Sequence, residues 1–435
     1  MKNRTILICI LLAFLFNSPL LLKGQSADEK IGTLINENNY FELDKQFPVL
    51  KDSMRSDMLR LMAEGLLYHY FNKPKEANKT IGKLITNYQN EMGFENSLSM
   101  TGIVLKNLLT MEKYDDAIKA SSSLIEQIKP YVDSETTEGF RVICNMATDL
   151  QKYEPTRLTR SDSEVEVPLT IEKVGRGELM FVPVSVNGKE KSFIFDTGCA
   201  AMNYVSEEFA EELNIRLISD SLYISGVGGS GYGWIGIADS MNVGDITYYN
   251  PLFIVAPPMP TDTVYKVNAV LGAGFLNAVG EVQIFANDNK IVFPVSGSAI
   301  PTSGRNMLLH EGQPYVKTYA DGEQLIFHLD TGNTKSTLFN RYYLRHKALI
   351  MKTGKKSTST SGGFGGIQTK EVYEMPIFRV WLDGDKPARL KDVEVEIHNE
   401  GFQGWQSEDG SLGMDFLRAF EKVTINYRDM FVTAE

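Results

Sequence analysis

The chain has 435 residues, of which 43% are hydrophobic and 23% charged, and its net charge is -11. This length exceeds that of an ordinary single domain, and the composition is that of a globular protein, so we expect two or three domains. The acidic balance, without a long basic run, argues against nucleic acid or an anionic membrane surface as a partner.

The first segment, residues 1–24, has the features of a secretory signal peptide. Lys2 and Arg4 precede an apolar stretch at 6–22, and a basic start followed by an apolar core is typical of such signals. A permanent membrane anchor is the alternative, but the polar and proline residues at 17–19 interrupt the stretch. We therefore expect a secreted or periplasmic protein that has no stable membrane span after cleavage.

Residues 25–150 are predicted to form an α-helical domain, because apolar residues recur at helical spacing and few glycines interrupt them. Three short segments resemble one another around Leu43, Ala77 and Ala117, which are 34 and 40 positions apart. This period is similar to that of tetratricopeptide-like repeats, and an irregular helical bundle fits equally well. In either case the domain is expected to contribute packing or contacts with a protein partner, and not chemistry.

Beyond residue 150 the composition shifts towards glycine and short alternating apolar runs, which predict an all-β region. This region is duplicated. Asn187-Gly188 and Asp321-Gly322 are typical two-residue hairpin turns, and they are 134 positions apart. The predicted segments are a linker at 151–163, a first lobe at 164–296, a second linker at 297–305 and a second lobe at 306–435.

The triplet Asp-Thr-Gly occurs in both lobes, as Asp196-Thr197-Gly198 and Asp330-Thr331-Gly332, again 134 positions apart. Each copy ends an apolar run, so each carboxylate is expected at the end of a buried strand. Two such carboxylates on duplicated lobes can meet at a pseudo-two-fold axis and share one proton, because like charges in contact cannot both ionise. Such a pair provides an acid and a base that can activate water for peptide hydrolysis.

Further motifs recur in the same order in both lobes. A glycine-rich stretch follows each triplet, then an apolar element around Leu271-Gly272 or Leu412-Gly413, then a closing strand. This ordered set resembles two fused retropepsin-like aspartic protease units. The resemblance implies a multidomain protein in which an all-β bilobal protease, with two β-barrel lobes, follows the α-helical domain.

The resemblance also implies roles for individual residues. Asp196 and Asp330 would be the catalytic dyad. Thr197 and Thr331 would cross-link the two turns, and Gly198 and Gly332 would let backbone approach the carboxylates. The implied flap residues that close over substrate are Gly226, Val227, Gly228, Gly229, Gly363, Phe364, Gly365 and Gly366.

The function expected from these motifs is that of an aspartic endopeptidase acting on an extended peptide or protein substrate. Because one chain supplies both acids, dimerisation is not required. The alternative is a non-catalytic peptide-binding or scaffold protein that keeps the fold. The intact triplets favour the enzyme, since degenerate relatives usually lose a catalytic aspartate.

Several other patterns are set aside. The spacing Gly226-x-Gly228-x-x-Gly231 matches a dinucleotide fingerprint, but a strand-like segment follows it where a helix is needed, so no cofactor is expected. The five histidines lack metal-ligand spacing, so no metal is expected either. His328 corresponds to Ile194 in the first lobe, which favours a structural role over a catalytic one.

Five more side chains are assigned roles. Cys144 and Cys199 are interpreted as small buried residues, although pairing remains an alternative. Tyr232 and Trp234 either project towards substrate or pack on their own lobe. Asp415 corresponds to Gly274, so it is expected to be a packing or surface residue and not a third acid.

Overall fold

The computed structural model describes residues 25–200, 202–219, 222–226, 229–258, 267–382, 384, 386–398, 405 and 407–435. The predicted signal peptide at 1–24 lies outside these residues. So do two of the predicted flap residues, Val227 and Gly228.

Residues 25–150 fold into α-helices, which confirms the helical prediction; the repeat interpretation remains a prediction. The helices are α1 (Ala27–Asn36), α2 (Tyr40–Leu50), α3 (Asp57–Tyr70), α4 (Pro74–Met92), α5 (Phe94–Thr110), α6 (Tyr114–Ile128) and α7 (Ser134–Leu150), with a 3₁₀ turn at Lys51–Ser53. Ser26, Ser56 and Asp133 cap α1, α3 and α7 by accepting a hydrogen bond from a backbone N–H three residues on. No helix in the described part of the chain is both long and apolar enough to cross a membrane.

The first β lobe is built on one large sheet with two short helices. Its strands and helices are β1 (Arg157–Thr159), β2 (Val165–Pro168), β3 (Thr170–Val174), β4 (Gly177–Val186), β5 (Lys189–Phe195), β6 (Asn203–Ser206), α8 (Glu207–Glu212), β7 (Arg216–Leu217), β8 (Leu222–Gly226), β9 (Gly229–Ile237), β10 (Ser240–Val243), β11 (Ile246–Tyr249), β12 (Leu252–Ala256), β13 (Ala269–Leu271), α9 (Ala273–Val279), β14 (Glu281–Phe285) and β15 (Lys290–Phe293). Strand β1 lies inside the predicted linker at 151–163 and pairs with β11, so part of that segment belongs to the sheet.

The second lobe repeats this plan. Its elements are β16 (Met307–His310), β17 (Gln313–Ala320), β18 (Glu323–Leu329), β19 (Thr337–Leu338), α10 (Asn340–Thr353), β20 (Lys355–Gly363), β21 (Gly366–Val380), β22 (Ala388–Glu396), β23 (Gly410–Leu412), α11 (Met414–Leu417), β24 (Val423–Asn426) and β25 (Phe431–Ala434).

The two lobes share one strand order. Neighbouring strands run β3-β4-β5-β13-β6-β12-β9-β8 in the first lobe and β16-β17-β18-β23-β19-β22-β21-β20 in the second. The predicted duplication is therefore present as a duplicated topology. Neither strand order closes on its first strand among the described residues, although one bridge joins Tyr319 of β17 to Trp381 after β21. The lobes are therefore not the closed barrels that were expected.

A third sheet joins the lobes. It has the order β2-β15-β14-β24-β25, and its central pair, β14 and β24, is antiparallel, with Val282 opposite Ile425. The two closing strands predicted from the sequence thus pair with each other across the lobes. This sheet fixes the relative position of the lobes beneath the site.

The helical domain packs against the second lobe through a run of aromatic rings. Tyr40 stacks on Tyr70 with ring centroids 3.9 Å apart, Tyr70 on His310 at 6.1 Å, and His310 on Trp405 at 5.7 Å. Charged pairs surround this stack: Lys106 with Glu311 at 2.5 Å, and Arg305 with Asp44. The helical domain is therefore a docked part of the molecule.

Candidate active site

The two Asp-Thr-Gly turns sit at equivalent strand ends. The backbone N–H of Asp196 donates to the carbonyl of Leu271 at 3.1 Å, and that of Asp330 donates to Leu412 at 2.9 Å. The glycine of each triplet then donates its N–H to an Oδ1 of its own aspartate, at 2.7 Å for Asp196 and 3.0 Å for Asp330. Each carboxyl group is thus fixed in place by its own turn.

Thr197 and Thr331 cross-link the turns symmetrically. The backbone N–H of each threonine donates to the Oγ1 of the other, at 3.0 and 3.1 Å. Each hydroxyl in turn donates to a strand carbonyl of the opposite lobe, Leu329 at 2.6 Å and Phe195 at 2.7 Å. Both threonines are fully buried, so the hydrogen bonds are shielded from water and hold the two strand ends together.

The two carboxyl groups meet. They hydrogen-bond to each other, and each lies deep within surrounding protein although both aspartates are only partly buried as whole residues. Burial, and then the like charge of Asp330, raises the pKa of Asp196 to about 8. Burial also raises the pKa of Asp330, but the hydrogen bond from Asp196 and the turn N–H groups oppose that rise. Burial thus raises the pKa of both carboxyl groups, so the pair retains a proton to a higher pH than a free aspartate does.

Backbone crowding explains the glycines of the triplets. A Cβ atom on Gly332 would lie 2.4 Å from Cγ of Asp196, and one on Gly198 would lie 2.7 Å from Oδ1 of Asp330. Both distances are shorter than real carbon contacts allow. Each carboxyl group therefore rests against the glycine of the opposite turn.

Two supporting contacts join segments whose pairing the sequence did not predict. The side-chain amide of Gln313 donates to the carbonyl of Gly198 at 2.8 Å, across the lobe boundary. Asp415 accepts from the backbone N–H of Ser336 at 2.7 Å and from its hydroxyl at 2.6 Å, in agreement with its expected packing role. Gln313 belongs to no repeated motif, and Asp415 has no acidic counterpart in the repeated element of the first lobe, so the sequence did not predict these contacts.

The two glycine-rich stretches form hairpins that meet over the site. Strands β8 and β9 pair up to Gly226 opposite Gly229, and β20 and β21 pair up to Gly363 opposite Gly366. A Cβ atom on Gly226 would lie 2.6 Å from Cβ of Phe364. The described flap residues of the two lobes are therefore in contact, in a closed arrangement.

The remaining candidates lie around this centre. Cys199 is free and partly buried, and burial raises the pKa of its thiol. His328 lies two residues before Asp330, and burial lowers its pKa to about 4. Tyr232 is 63% exposed and stands edge-on to Tyr223, whereas Trp234 packs partly against the core of its own lobe. No metal-binding group of His, Cys, Asp or Glu is found among the described residues.

One part of the chain matches a known protein family. Residues 182–275 match a family model described as aspartyl protease, a span that includes Asp196 and Gly226. No curated protein matches the chain.

Solved structures give more distant likenesses. The aspartic proteinase from Irpex lacteus is 11% identical, with 62% of this chain and 96% of that one covered at a TM-score of 0.39. Basic 7S globulin from soybean is 10% identical over 62% of this chain and 93% of that one, also at 0.39. A retropepsin-like aspartic protease from Rickettsia conorii is 16% identical over 32% of this chain and 94% of that one, at 0.22.

Proposed function

We propose that this protein is an aspartic-type endopeptidase that hydrolyses peptide bonds with water activated between Asp196 and Asp330. The observation that carries the proposal is the pair of mutually hydrogen-bonded carboxyl groups, each on its own turn, with the turns cross-linked by Thr197 and Thr331. The aspartyl protease match of residues 182–275 supports the same class.

The chemistry follows from one shared proton. Ionised Asp330 accepts a proton from water as the water oxygen attacks the peptide carbonyl carbon. Protonated Asp196 donates its proton to the carbonyl oxygen, which gives a neutral gem-diol. Collapse of the gem-diol breaks the C–N bond, the nitrogen receives a proton from the dyad, and the carboxylic acid and amine leave.

The roles of the two acids are unequal because their surroundings are unequal. The hydrogen bond between them favours the proton on Asp196 and the charge on Asp330. The backbone N–H groups of Gly332 and Asn333 lower the pKa of Asp330, because N–H donors stabilise a carboxylate. We therefore assign Asp330 as the base and Asp196 as the acid of the first step.

A peptide-binding protein without catalysis is the second candidate. One experiment distinguishes the two functions. The full chain is incubated with a mixed peptide library over a wide pH range, and products are identified by mass spectrometry. The peptidase is supported if the parent forms products with new amine termini and neither Asp196→Asn nor Asp330→Asn forms them. Binding of library peptides without any product supports the second candidate.

A further inference from the structure

A row of side chains crosses the sheet of the first lobe beside the dyad. Ile194 stands two residues before Asp196 and therefore faces the same side as the carboxyl group. Register pairs extend the row from Ile194 in both directions, giving Phe181, Ile194, Val270, Tyr204 and Ile254. We call this set the apolar row. Its members form an apolar cluster on which Cys199 also packs.

The equivalent row of the second lobe has a different chemistry. Starting from His328, two residues before Asp330, the same register pairs give Tyr315, His328, Ser411, Thr337 and Glu394, and the next pair adds Glu374. We call this set the polar row. In equivalent strands of the two lobes, Ile194 corresponds to His328, Val270 to Ser411 and Ile254 to Glu394. The two sides of the dyad therefore offer unlike surfaces.

The apolar row already holds an aromatic side chain from the opposite lobe. Phe364, at the tip of the second flap, packs against the cluster of the apolar row. Its ring stands edge-on to Tyr204, with centroids 6.4 Å apart. The apolar row thus accommodates, against Tyr204, a ring that comes from the other lobe.

The polar row already holds a cation, again from the opposite lobe. Nη1 of Arg176, in the turn between β3 and β4, lies 3.0 Å from Glu374 Oε1 and 3.3 Å from Glu394 Oε1, and Nη2 donates to the Thr358 carbonyl at 3.4 Å. The Arg176 side chain is 60% exposed, whereas those of Glu374 and Glu394 are 25% and 18% exposed. Glu374 and Glu394 are therefore part of the sheet surface, and the guanidinium of Arg176 contacts them from the solvent-exposed side.

His328 adds an unused hydrogen-bonding group to the polar row. Its ring stacks on Tyr315 with centroids 5.3 Å apart. Its Nε2 is buried and has no hydrogen-bond partner among the described residues. A buried polar atom without a partner is costly, and a polar ligand would relieve that cost.

We propose that the substrates are peptides with a large aromatic side chain on one side of the scissile bond and a lysine or arginine on the other. The aromatic residue takes the place of Phe364 on the apolar row, and the cation takes the place of Arg176 at Glu374 and Glu394. The two rows flank the dyad on opposite sides, so one extended peptide can engage both. This inference rests on the proposed function of the site, whose substrate class it specifies.

The test compares four peptide series that differ at two positions: Phe or Ala on one side of the bond, and Lys or Gln on the other. The preference is the ratio of kcat/KM for the Phe, Lys peptide to that for the Phe, Gln peptide. In the double variant Glu374→Gln with Glu394→Gln this ratio should fall about tenfold, since a partly buried charge pair is lost. Arg176→Gln should raise the ratio, because the internal cation no longer competes.

Glu371→Gln is the matched control, because Glu371 lies on the same strand but is exposed, and its ratio should equal that of the parent. A parent ratio near one, or a ratio that the double variant leaves unchanged, overturns the proposal while leaving the peptidase intact. If no peptide is cleaved, the same peptides are labelled and their binding to the full chain is measured by fluorescence anisotropy. Tightest binding of the Phe, Lys series supports the substrate class, and equal binding of all series overturns it.

Discussion

The backbone of Gly365 lies directly against that of Gly229, and a Cβ atom on Gly365 would come within 2.3 Å of the Gly229 carbonyl carbon. Gly365 also has a φ of 90°, where a side chain is strained. The contact joins the tips of two hairpins that belong to different lobes. Glycine is therefore required at this point for two independent reasons, conformation and space.

Gly365→Ala should hold the flap tips apart. We expect kcat/KM to fall by about tenfold or more, because the flaps exclude water and order the substrate, while the circular dichroism spectrum stays that of the parent. Gly322→Ala is the control: Gly322 has a similar φ of 83°, but no atom within 4 Å of its added Cβ. Equal loss of activity in both variants would mean that backbone strain, and not the contact of the tips, is responsible.

The dyad should give a pH profile with an unusual alkaline limb. Cleavage requires one proton on the pair, so activity rises as Asp330 ionises and falls as Asp196 loses its proton. Because the pKa of Asp196 is raised to about 8, cleavage should persist at neutral pH and decline as the pH rises through about 8. The measurement is kcat/KM against pH. Loss of activity well below neutral pH would contradict the protonation of Asp196 described above.

Asp196→Asn should stabilise the fold at high pH. The pKa of Asp196 is higher in the folded chain than the value of about 3.9 in the unfolded chain. A raised carboxyl pKa costs stability once the pH exceeds the unfolded value, and the cost grows until the pH reaches the folded value, at up to about 1.4 kcal/mol per pH unit. The variant lacks this cost.

Urea denaturation of the parent and Asp196→Asn at several pH values tests this linkage. The difference in free energy of unfolding should widen between about pH 4 and pH 8 and then level off. A constant difference for Asp196→Asn would show that its carboxyl group titrates normally.

Thr331→Val should weaken the join between the lobes. The substitution leaves the N–H of Thr197 and the carbonyl of Phe195 without their partner. Each buried group that loses its partner costs about 1–3 kcal/mol. Thr331→Ser keeps the hydroxyl and should retain most of the stability. Thermal unfolding of the three proteins provides the comparison, and a Thr331→Val variant as stable as the parent would contradict a stabilising role of the hydroxyl.

The pair Asp44 and Arg305 should report docking of the helical domain. Both side chains are largely buried, at 20% and 28% exposure, and Arg305 also lies 4.3 Å above the ring of Phe71. Asp44→Ala and Arg305→Ala should each destabilise the protein, with a coupling of about 1 kcal/mol in the double variant. Arg60 and Asp57, whose side chains on α3 are 44% and 56% exposed, provide a control cycle in which we expect little coupling.

The sequence indicates the site well because the two triplets and the two hairpin turns share one spacing of 134 positions. That constant offset predicts that Asp196 and Asp330, and with them Thr197 and Thr331, are equivalent points of duplicated lobes. The offset breaks just beyond the triplets. Tyr204 corresponds to Thr337 in strand register, which is 133 positions, so the contrast between the apolar and polar rows emerges only from the pairing of strands.

The periodicity of the sequence does not predict contacts between distant segments. Tyr70 and His310 stack although 240 positions separate them, and each was assigned to a different predicted domain. The pairing of β14 with β24 likewise depends on how the lobes meet, and not on the apolar pattern of either strand. Local patterns predict elements and repeated turns, whereas docking depends on surface shapes that a single sequence does not display.

The docking of the helical domain sets an order of events during synthesis. The side chain of Asn72 donates to the carbonyl of Tyr427, 355 positions later. A ribosome that adds about 5–20 residues per second needs roughly 20–70 s to cover that distance. For most of this interval Tyr40 and Tyr70 lack the rings of His310 and Trp405 that cover them in the finished protein. The nascent chain therefore carries an exposed aromatic surface, which a chaperone that shields apolar surface can protect until the last strands emerge.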